Sequence, residues 1–317
     1  ADRWENGVRG RKVGDLLSDS VMRKFIVPRQ DLTLVAKVAQ GGYGTVFRAV
    51  MASSTGGKKR LVAVKEMKGE RKVRLCELLK EACVMASLNH PNICTFLGVC
   101  TDEPEGSRKD YLVSELMDCS LFDLVHQPHK LHWHGELTTS LVVCIGTGIG
   151  RGIHYLHGKN LVHADLKSSN ILIDYSATRE LVPRICDFGH ATVRTFPAPH
   201  HRCGTPHWAA PEVLRGEALS ASSDVYSWGV IAWEMLAQKL PHKGLSFGQV
   251  VGSVGWAGTT PDLDQLPQRP AEFRQLITTC LSFLPTARPS SKTLLRGLRR
   301  VPKQARSQAL HTLERFF

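Results

Sequence analysis

One stretch near the middle of the chain constrains the fold most. Residues His163–Asn170 read His-Ala-Asp-Leu-Lys-Ser-Ser-Asn, and the triplet Asp-Phe-Gly follows at 187–189, after an apolar run and a turn. The carboxylate of Asp165 can accept a proton from a hydroxyl, while Asn170 and Asp187 offer the hard oxygen ligands that magnesium prefers. These residue types suit phosphoryl transfer if folding brings them together around a polyphosphate.

Two upstream motifs supply what a polyphosphate site would also need. Val38–Val46 reads as a strand, a glycine-rich turn and a second strand, in which Gly41 and Gly44 let backbone amides approach phosphates. On its own, such a hairpin is more often only a tight turn. Leu61–Lys65 is an apolar run that ends in lysine, and the helical segment after it carries Glu81. A lysine on a buried strand needs an ionic partner of this kind.

Downstream motifs continue in the same order. Tyr111–Met117 reads as a strand that runs into a polar connection, and Gly204–Glu212 contains Gly-Thr-Pro and Ala-Pro-Glu. Ser223–Val230 begins a strongly apolar helix with Asp224 near its start, and Arg288 follows much later. The family resemblance set out next implies that Arg288 pairs with Glu212, and such a buried pair would cost about 3–5 kcal/mol to break.

Taken together, these motifs resemble the protein kinase family over roughly Asp31 to Leu298. The resemblance implies an α+β, two-lobed protein kinase fold, with an antiparallel sheet and one helix in the small lobe and a mainly helical large lobe. The expected divisions are a lead-in at 1–30, a small lobe at 31–116, a large lobe at 117–300 and a helical tail at 301–317. Small-molecule phosphotransferases share the catalytic carboxylates but generally lack the Ala-Pro-Glu segment and the helix with Asp224.

The resemblance also assigns roles to individual residues. The implied catalytic residues are Asp165, Lys167, Lys65 and Glu81. The implied magnesium ligands are Asn170 and Asp187. The implied ATP-binding residues are Val38, Gly41, Gly44, Val46, Ala63, Lys65, Ser114, Glu115, Met117 and Leu172. Ser114 falls at the back of the implied adenine pocket, although its hydroxyl could equally serve to bond the backbone.

The substrate class follows from two positions in the resemblance. Lys167, two residues after Asp165, and Thr205 are typical of serine/threonine kinases, and Thr205 is expected to contact both Asp165 and Lys167. The Trp208 segment and Ser246–Gly252 resemble the tyrosine-kinase-like group, which includes Raf, mixed-lineage and plant Raf-like kinases. The resemblance therefore implies a signalling transferase that uses ATP and Mg²⁺ and acts on protein substrates.

Ala164 is the main departure from the family pattern. Most kinases that are regulated through their activation segment carry arginine at this position, where it binds a phosphorylated residue. Alanine cannot do so, and we therefore expect that phosphorylation of Thr192 or Thr195 does not switch the enzyme on. The alternative is a nucleotide-binding pseudokinase, a scaffold that signals by conformation, although the chemical groups themselves are all present.

Composition sets the remaining expectations. The 317 residues, 42% of them hydrophobic, can bury a large core, and no apolar run is long enough to span a bilayer. Nine irregularly spaced cysteines indicate a reducing, intracellular and cytoplasmic setting. The sequence does not begin with methionine, so regulatory domains outside it are expected.

A net charge of +12 comes without a nucleic-acid module, and nucleic acid is not an expected partner. Histidines cluster near 126–134 and 190–207, where loop positions are favoured over a zinc site.

Overall fold

A computed structural model describes residues 22–41, 44–52, 59–101, 109–131, 137–175, 181–193, 205–266 and 270–301. The described residues fall into two compact units. The sheet unit takes its residues from 1–89, 94–117 and 187–189. The helical unit takes its residues from 90–93, 118–186 and 190–317.

Five antiparallel strands form the sheet unit, in the spatial order β1-β2-β3-β5-β4. Their bounds are β1 Leu32–Gln40, β2 Gly44–Met51, β3 Arg60–Met67, β4 Phe96–Thr101 and β5 Asp110–Glu115. Alternation in β3 shows why the sequence folds this way. Val62 and Val64 are fully buried on one face, while Ala63 and Lys65 lie on the other face, which is only partly covered.

Helix α1 (Arg71–Ala86) joins β3 to β4 and is the helix expected in the small lobe. It packs against β4 and β5, and its buried apolar residues include Leu78, Leu79 and Ala82. Near its start, Arg74 Nε lies 2.6 Å from Asp110 Oδ2 at the beginning of β5. This ion pair joins the N-terminal end of the helix to the sheet.

The described part of the lead-in is attached to the free edge of β4. Met22–Phe25 forms one turn of 3₁₀ helix, and Ile26 then makes a parallel bridge to Val99. The amide of Val27 donates to the carbonyl of Val99 at 2.8 Å. Gly98 makes this approach possible, because a Cβ atom at that position would lie 2.3 Å from the carbonyl oxygen of Phe25. The described part of the lead-in therefore extends the sheet.

The described residues of the helical unit form long helices, several short helices and short strands. The helices are α2 Leu121–His126, α3 Thr139–Gly158, α4 Pro211–Leu214, α5 Ala221–Ala237, α6 Phe247–Val250, α7 Ala271–Cys280 and α8 Ser291–Arg300. The strands are β6 Cys119–Ser120, β7 Leu161–Val162, β8 Ile171–Asp174, β9 Val182–Ile185 and β10 Thr192–Val193. Strands β6, β8 and β9 form one small sheet, and β7 pairs with β10.

Helix α5 is the centre of the helical unit, and nearly all its residues are buried. It packs against α3 and α7, while α8 packs against α3. Glycines on α3 allow β9 to approach the helix closely, because a Cβ atom on Gly148 would lie 2.4 Å from Pro183 Cγ. In the sequence, β9 is followed by Cys186 and then by the Asp-Phe-Gly triplet.

The two ends of α3 have local causes. Thr138 caps the start of the helix, since its hydroxyl accepts from the amide of Leu141. The helix ends at Gly158, and Asn160 then takes the left-handed conformation, with φ 58°. Asparagine adopts this conformation more readily than most residues. Among the described residues, no helix is both long and apolar enough to cross a membrane.

Candidate functional site

The first part of the site lies within the sheet unit and centres on Lys65. Its Nζ atom lies 3.1 and 2.9 Å from the two carboxylate oxygens of Glu81 on α1, and 2.9 Å from Asp187 Oδ1. Glu81 is 2% exposed. A strand, a helix and the Asp-Phe-Gly triplet, which span 122 positions of sequence, therefore converge on one ammonium group.

The electrostatics of this group favour the charged lysine. Burial alone would lower the pKa of Lys65, but the carboxylates of Glu81 and Asp187 outweigh burial and raise the pKa above its ordinary value. The Lys65 side chain is 16% exposed and that of Asp187 is 25% exposed. The ammonium is therefore held charged and in place, as binding of phosphates would require.

The glycine-rich hairpin is formed by the end of β1 and the start of β2. The amide of Gly41 donates to the carbonyl of Gly44 at 2.9 Å, which closes the turn. Gly44 must be glycine for packing, since a Cβ atom there would lie 2.5 Å from the carbonyl oxygen of Glu66 on β3. The end of β1 is open, and Val38 is 59% exposed. Val46 pairs with Lys65 across β2 and β3.

The predicted adenine-binding residues of the sheet unit lie on and after β5. Ser114 stands opposite Ala63 on one side and Phe96 on the other. Its hydroxyl forms no hydrogen bond with any residue that the structure describes, so the backbone-bonding explanation is not supported. The amide of Glu115 donates to the carbonyl of Thr95 at 3.0 Å. Met117 follows and is partly buried, and Leu172 lies on β8 in the helical unit.

The second part of the site is the loop 163–170 of the helical unit. Lys167 Nζ lies 2.7 Å from Asp165 Oδ2 and 2.7 Å from Thr205 Oγ1. Asn170 Nδ2 donates to the backbone carbonyl of Asp165 at 2.8 Å and to its Oδ2 at 3.2 Å. Thr205 was expected to contact both Asp165 and Lys167. In the described part of the chain it bonds Lys167 alone, and the lysine links it to the carboxylate.

Asp224, at the start of α5, holds the backbone of this loop. Its two carboxylate oxygens accept from the amides of His163 and Ala164 at 3.0 and 3.1 Å. His157 on α3, which the sequence analysis did not single out, lies 2.9 Å from the same carboxylate. Ala164 has φ 70°, a left-handed conformation that costs a non-glycine residue about 1–2 kcal/mol. The buried carboxylate of Asp224 stabilises that conformation.

His163 connects the loop to the strand before the Asp-Phe-Gly triplet. Its Nδ1 accepts from the amide of Asp165 at 3.3 Å, so its Nε2 is the donor to the carbonyl of Cys186, at 3.0 Å. The amide of Cys186 in turn donates to the carbonyl of Asn170 at 3.0 Å. The residue before Asp187 is therefore bound at both backbone groups to the loop that carries Asp165.

Glu234, on α5, is a functional residue that sequence reasoning missed. This carboxylate is fully buried, and it accepts hydrogen bonds from Ser168 and from His126 Nε2 on Oε1, at 2.7 and 2.8 Å. Its Oε2 accepts from Trp208 Nε1 at 2.7 Å. We call these four residues the Glu234 cluster. A sequence signal existed, because Glu234 interrupts the apolar second half of α5, and a buried carboxylate needs partners.

The predicted pair of Glu212 and Arg288 forms the base of the segment that follows Thr205. The two terminal nitrogens of the Arg288 guanidinium donate to the two carboxylate oxygens of Glu212, at 2.6 and 2.7 Å. The side chains of Arg288 and Glu212 are almost completely buried. Arg288 also donates to the backbone carbonyls of Ser282 and Phe283. The pair thus joins α4 to the loop before α8.

A zinc site receives no support from the residues that the structure describes. No group of three or more metal-binding side chains converges among them. His126 is engaged by Glu234 instead. His132, His134, His200, His201 and Cys203 lie outside the described residues.

The chain belongs to the protein kinase domain family, whose pattern it matches over residues 32–297. The prediction of an α+β protein kinase fold of the serine/threonine type, in the tyrosine-kinase-like group, is confirmed. Serine/threonine-protein kinase CTR1 of Arabidopsis thaliana is 35% identical over 284 residues, which are 88% of this chain and 32% of that protein.

Other relatives carry similar names. Probable serine/threonine-protein kinase drkC of Dictyostelium discoideum is 36% identical over 235 residues, covering 71% of this chain and 29% of that protein. Probable serine/threonine-protein kinase SIS8 of Arabidopsis thaliana is 32% identical over 279 residues, covering 86% of this chain and 25% of that protein. The chain thus spans about a third or less of the length of these relatives.

Proposed function

We propose that this chain transfers the γ-phosphoryl group of Mg-ATP to serine and threonine hydroxyls of proteins. The observation that carries the proposal is the position of Lys167, whose ammonium lies 2.7 Å from both Asp165 and Thr205. The carboxylate of Asp165, which can accept a proton, and the hydroxyl of Thr205 are thus both held by the same ammonium group. A site that only binds nucleotide has no need of this arrangement.

Asp165 is the proposed proton acceptor. As the substrate oxygen bonds to the γ-phosphorus, the Asp165 carboxylate takes the hydroxyl proton. The bond from that phosphorus to the β–γ bridging oxygen breaks, and ADP leaves with the electron pair. The Lys167 ammonium offsets negative charge on the transferring group. Asn170 holds Asp165 in place through its two hydrogen bonds.

Lys65 is the proposed contact to the α- and β-phosphates, and Glu81 orients it. The raised pKa of Lys65 supports this role, because the group stays charged at any physiological pH. Val38, Gly41, Gly44, Val46, Ala63, Ser114, Glu115, Met117 and Leu172 are the proposed remaining nucleotide contacts. We also propose that residues 31–116 form the small lobe of the kinase domain and that residues 117–300 form its large lobe.

Asn170 and Asp187 fit the oxygen-donor set that magnesium requires. Asn170 uses its amide nitrogen toward Asp165, which turns its amide oxygen toward other partners. Asp187 supplies carboxylate oxygens. When bound, the metal would neutralise charge on the phosphates.

The replacement Asp165→Asn tests the proposal. We expect phosphate incorporation into a protein substrate to fall at least about 10²-fold, since general-base catalysis contributes about that much. ATP affinity, measured by fluorescence, should stay within twofold. Asp264→Asn is the matched control, because Asp264 is 91% exposed and its ion pair with Arg274 lies at the surface. Nucleotide binding without any incorporation by the unmodified chain would instead favour the pseudokinase scaffold.

Regulation by the activation segment is proposed to be absent, because Ala164 offers no cation to a phosphate. Thr192 lies on β10, paired with Val162, and Thr195 lies outside the described residues. Phosphatase-treated and untreated protein should turn over at equal rates, as should Thr192→Ala and Thr195→Ala. A rise above about tenfold on phosphorylation, lost in either variant, contradicts the proposal.

A further inference from the structure

A cavity lies in the helical unit, and its lining residues take no part in the candidate site described above. Its volume is about 490 Å³, within the range of small-ligand sites. The last two turns of α3, Leu295 of α8 and the turn at His90 form its walls. The lining residues are His90, Arg151, His154, Tyr155, Gly158, Lys159 and Leu295.

The floor of the cavity is apolar and aromatic. The rings of His90 and Tyr155 stack with centroids 4.8 Å apart and an interplanar angle of 24°. Leu295 closes one side. The Lys159 ammonium lies 5.5 Å from the centre of the Tyr155 ring, and His154 Nδ1 lies 3.1 Å from Ser291 Oγ on α8. A ligand here would meet flat apolar surfaces with cationic groups around them.

The two helices that line the cavity contain no carboxylate at all. Neither Thr139–Gly158 nor Ser291–Arg300 has an aspartate or glutamate. Arg151 and Lys159 form no ion pair with any carboxylate in the described part of the chain. On α8, Lys292 and Arg299 are three residues before and four residues after Leu295, so they share its face, and both are exposed.

The positive charge of Arg151 reaches into the cavity. Burial lowers the pKa of His90, and the nearby guanidinium of Arg151 lowers it further. His90 Nδ1 accepts from the amide of Asn92 at 3.1 Å. Its Nε2–H therefore remains as a donor, whether or not the ring is protonated.

Helix dipoles explain only some of the cations around the cavity. Cations at the end of α3 do complement its C-terminal carbonyls, but that end carries only about half a negative charge. Arg151 and Lys159 together carry two positive charges. Lys292 lies in the first turn of α8, where the dipole disfavours a cation. An anionic partner accounts for all these cations together.

We propose that this cavity binds a peptide that presents a phosphorylated side chain. Arg151 and Lys159 would receive the phosphate, for which a guanidinium fork and an ammonium are suitable donors. The stacked rings and Leu295 would contact the stem of that side chain. A concave site of this volume fits one or two side chains, whereas a membrane surface would need a flat or convex basic face. This inference does not depend on catalysis.

Binding of a fluorescent phosphotyrosyl peptide tests the proposal. Anisotropy would be measured with the full chain at 0.15 M salt and without nucleotide, together with the unphosphorylated peptide and phosphatidylserine vesicles. We expect the phosphopeptide to bind at least tenfold more tightly than its unphosphorylated form. Arg151→Gln and Lys159→Gln should each weaken binding about tenfold, as expected for loss of a charge-assisted hydrogen bond.

Lys239→Gln, an exposed lysine on the loop after α5, is the matched control and should change affinity less than twofold. Arg151→Lys keeps the charge but not the fork, and should recover part of the affinity even if Arg151→Gln were poorly folded. Equal binding of both peptides, binding unaffected at Arg151 and Lys159, or binding to vesicles alone would each overturn the proposal.

Discussion

His242 is a partly buried base in a left-handed backbone conformation, with φ 52°. Burial and the nearby His207 together lower the pKa of its imidazole from 6.5 to about 4. The folded protein therefore keeps His242 neutral at a pH where the same residue in an unfolded chain would be protonated. This difference links proton binding to folding.

The stability of the helical unit should fall as the pH decreases from about 6.5 towards 4. In that window the unfolded chain binds a proton at His242 that the folded chain does not, so acid favours unfolding. Thermal unfolding at pH 7 and pH 5 measures the loss. His242→Asn removes the titrating group and tolerates the left-handed conformation, so its loss of melting temperature should be smaller.

The same replacement at His129, which is exposed, is the control and should leave the pH dependence unchanged. If His242→Asn lost as much stability in acid as the unmodified chain, the proton linkage would have to be assigned to other groups.

The most predictable residues of the site were those whose side chains need a particular partner when they are buried. Lys65 and Glu81 were paired in advance because a lysine on an apolar strand needs a carboxylate. The apolar residues around Glu234 indicate its burial, but its three donors could not be predicted, because they come from segments 26 to 108 residues away.

At the scale of elements, the lead-in contributes more than its sequence indicated. The rings of Phe25 and Phe96 lie 5.0 Å apart, and the strand-like residues after Phe25 extend the edge of β4. Caps and strand alternation are local patterns, so most element bounds could be predicted. A parallel bridge between Ile26 and Val99 is a non-local pairing, and nothing in either segment specified it.

Replacing Phe25 by alanine should lower the stability of the sheet unit by about 1–2 kcal/mol. A fully buried phenylalanine loses about 3–5 kcal/mol in this replacement, but Phe25 is only partly buried. The midpoint of urea unfolding measures the effect. Arg23→Ala changes an exposed neighbour and should leave the midpoint unchanged. Equal midpoints for all three proteins would show that the lead-in does not stabilise the sheet.

At the scale of the whole molecule, one buried ion pair joins segments 76 residues apart. Glu212 also accepts from Ser223 at the start of α5, and Arg288 lies 4.9 Å from the centre of the Tyr226 ring. Three separate parts of the helical unit thus meet at a single guanidinium. This long-range contact could be predicted only from the family pattern, not from either local sequence.

Arg288→Ala should destabilise the helical unit by about 3–5 kcal/mol, because it leaves the Glu212 carboxylate buried without its partner. Arg288→Lys should recover less than half of this, since lysine cannot bond both oxygens in the same plane. Thermal unfolding provides the comparison. Arg274→Ala breaks a pair with the exposed Asp264 and should cost less than about 1 kcal/mol. A similar small loss at both arginines would contradict the assigned role of Arg288.

The Glu234 cluster gives unequal importance to its members. Loss of any one donor leaves the carboxylate with two others, whereas loss of the acceptor strands all three donors at once. We therefore expect single replacements of Ser168, His126 or Trp208 to be tolerated better than replacement of Glu234. The attachment of α2, of the loop 163–170 and of the segment at Trp208 to α5 thus depends on one side chain that never reaches solvent.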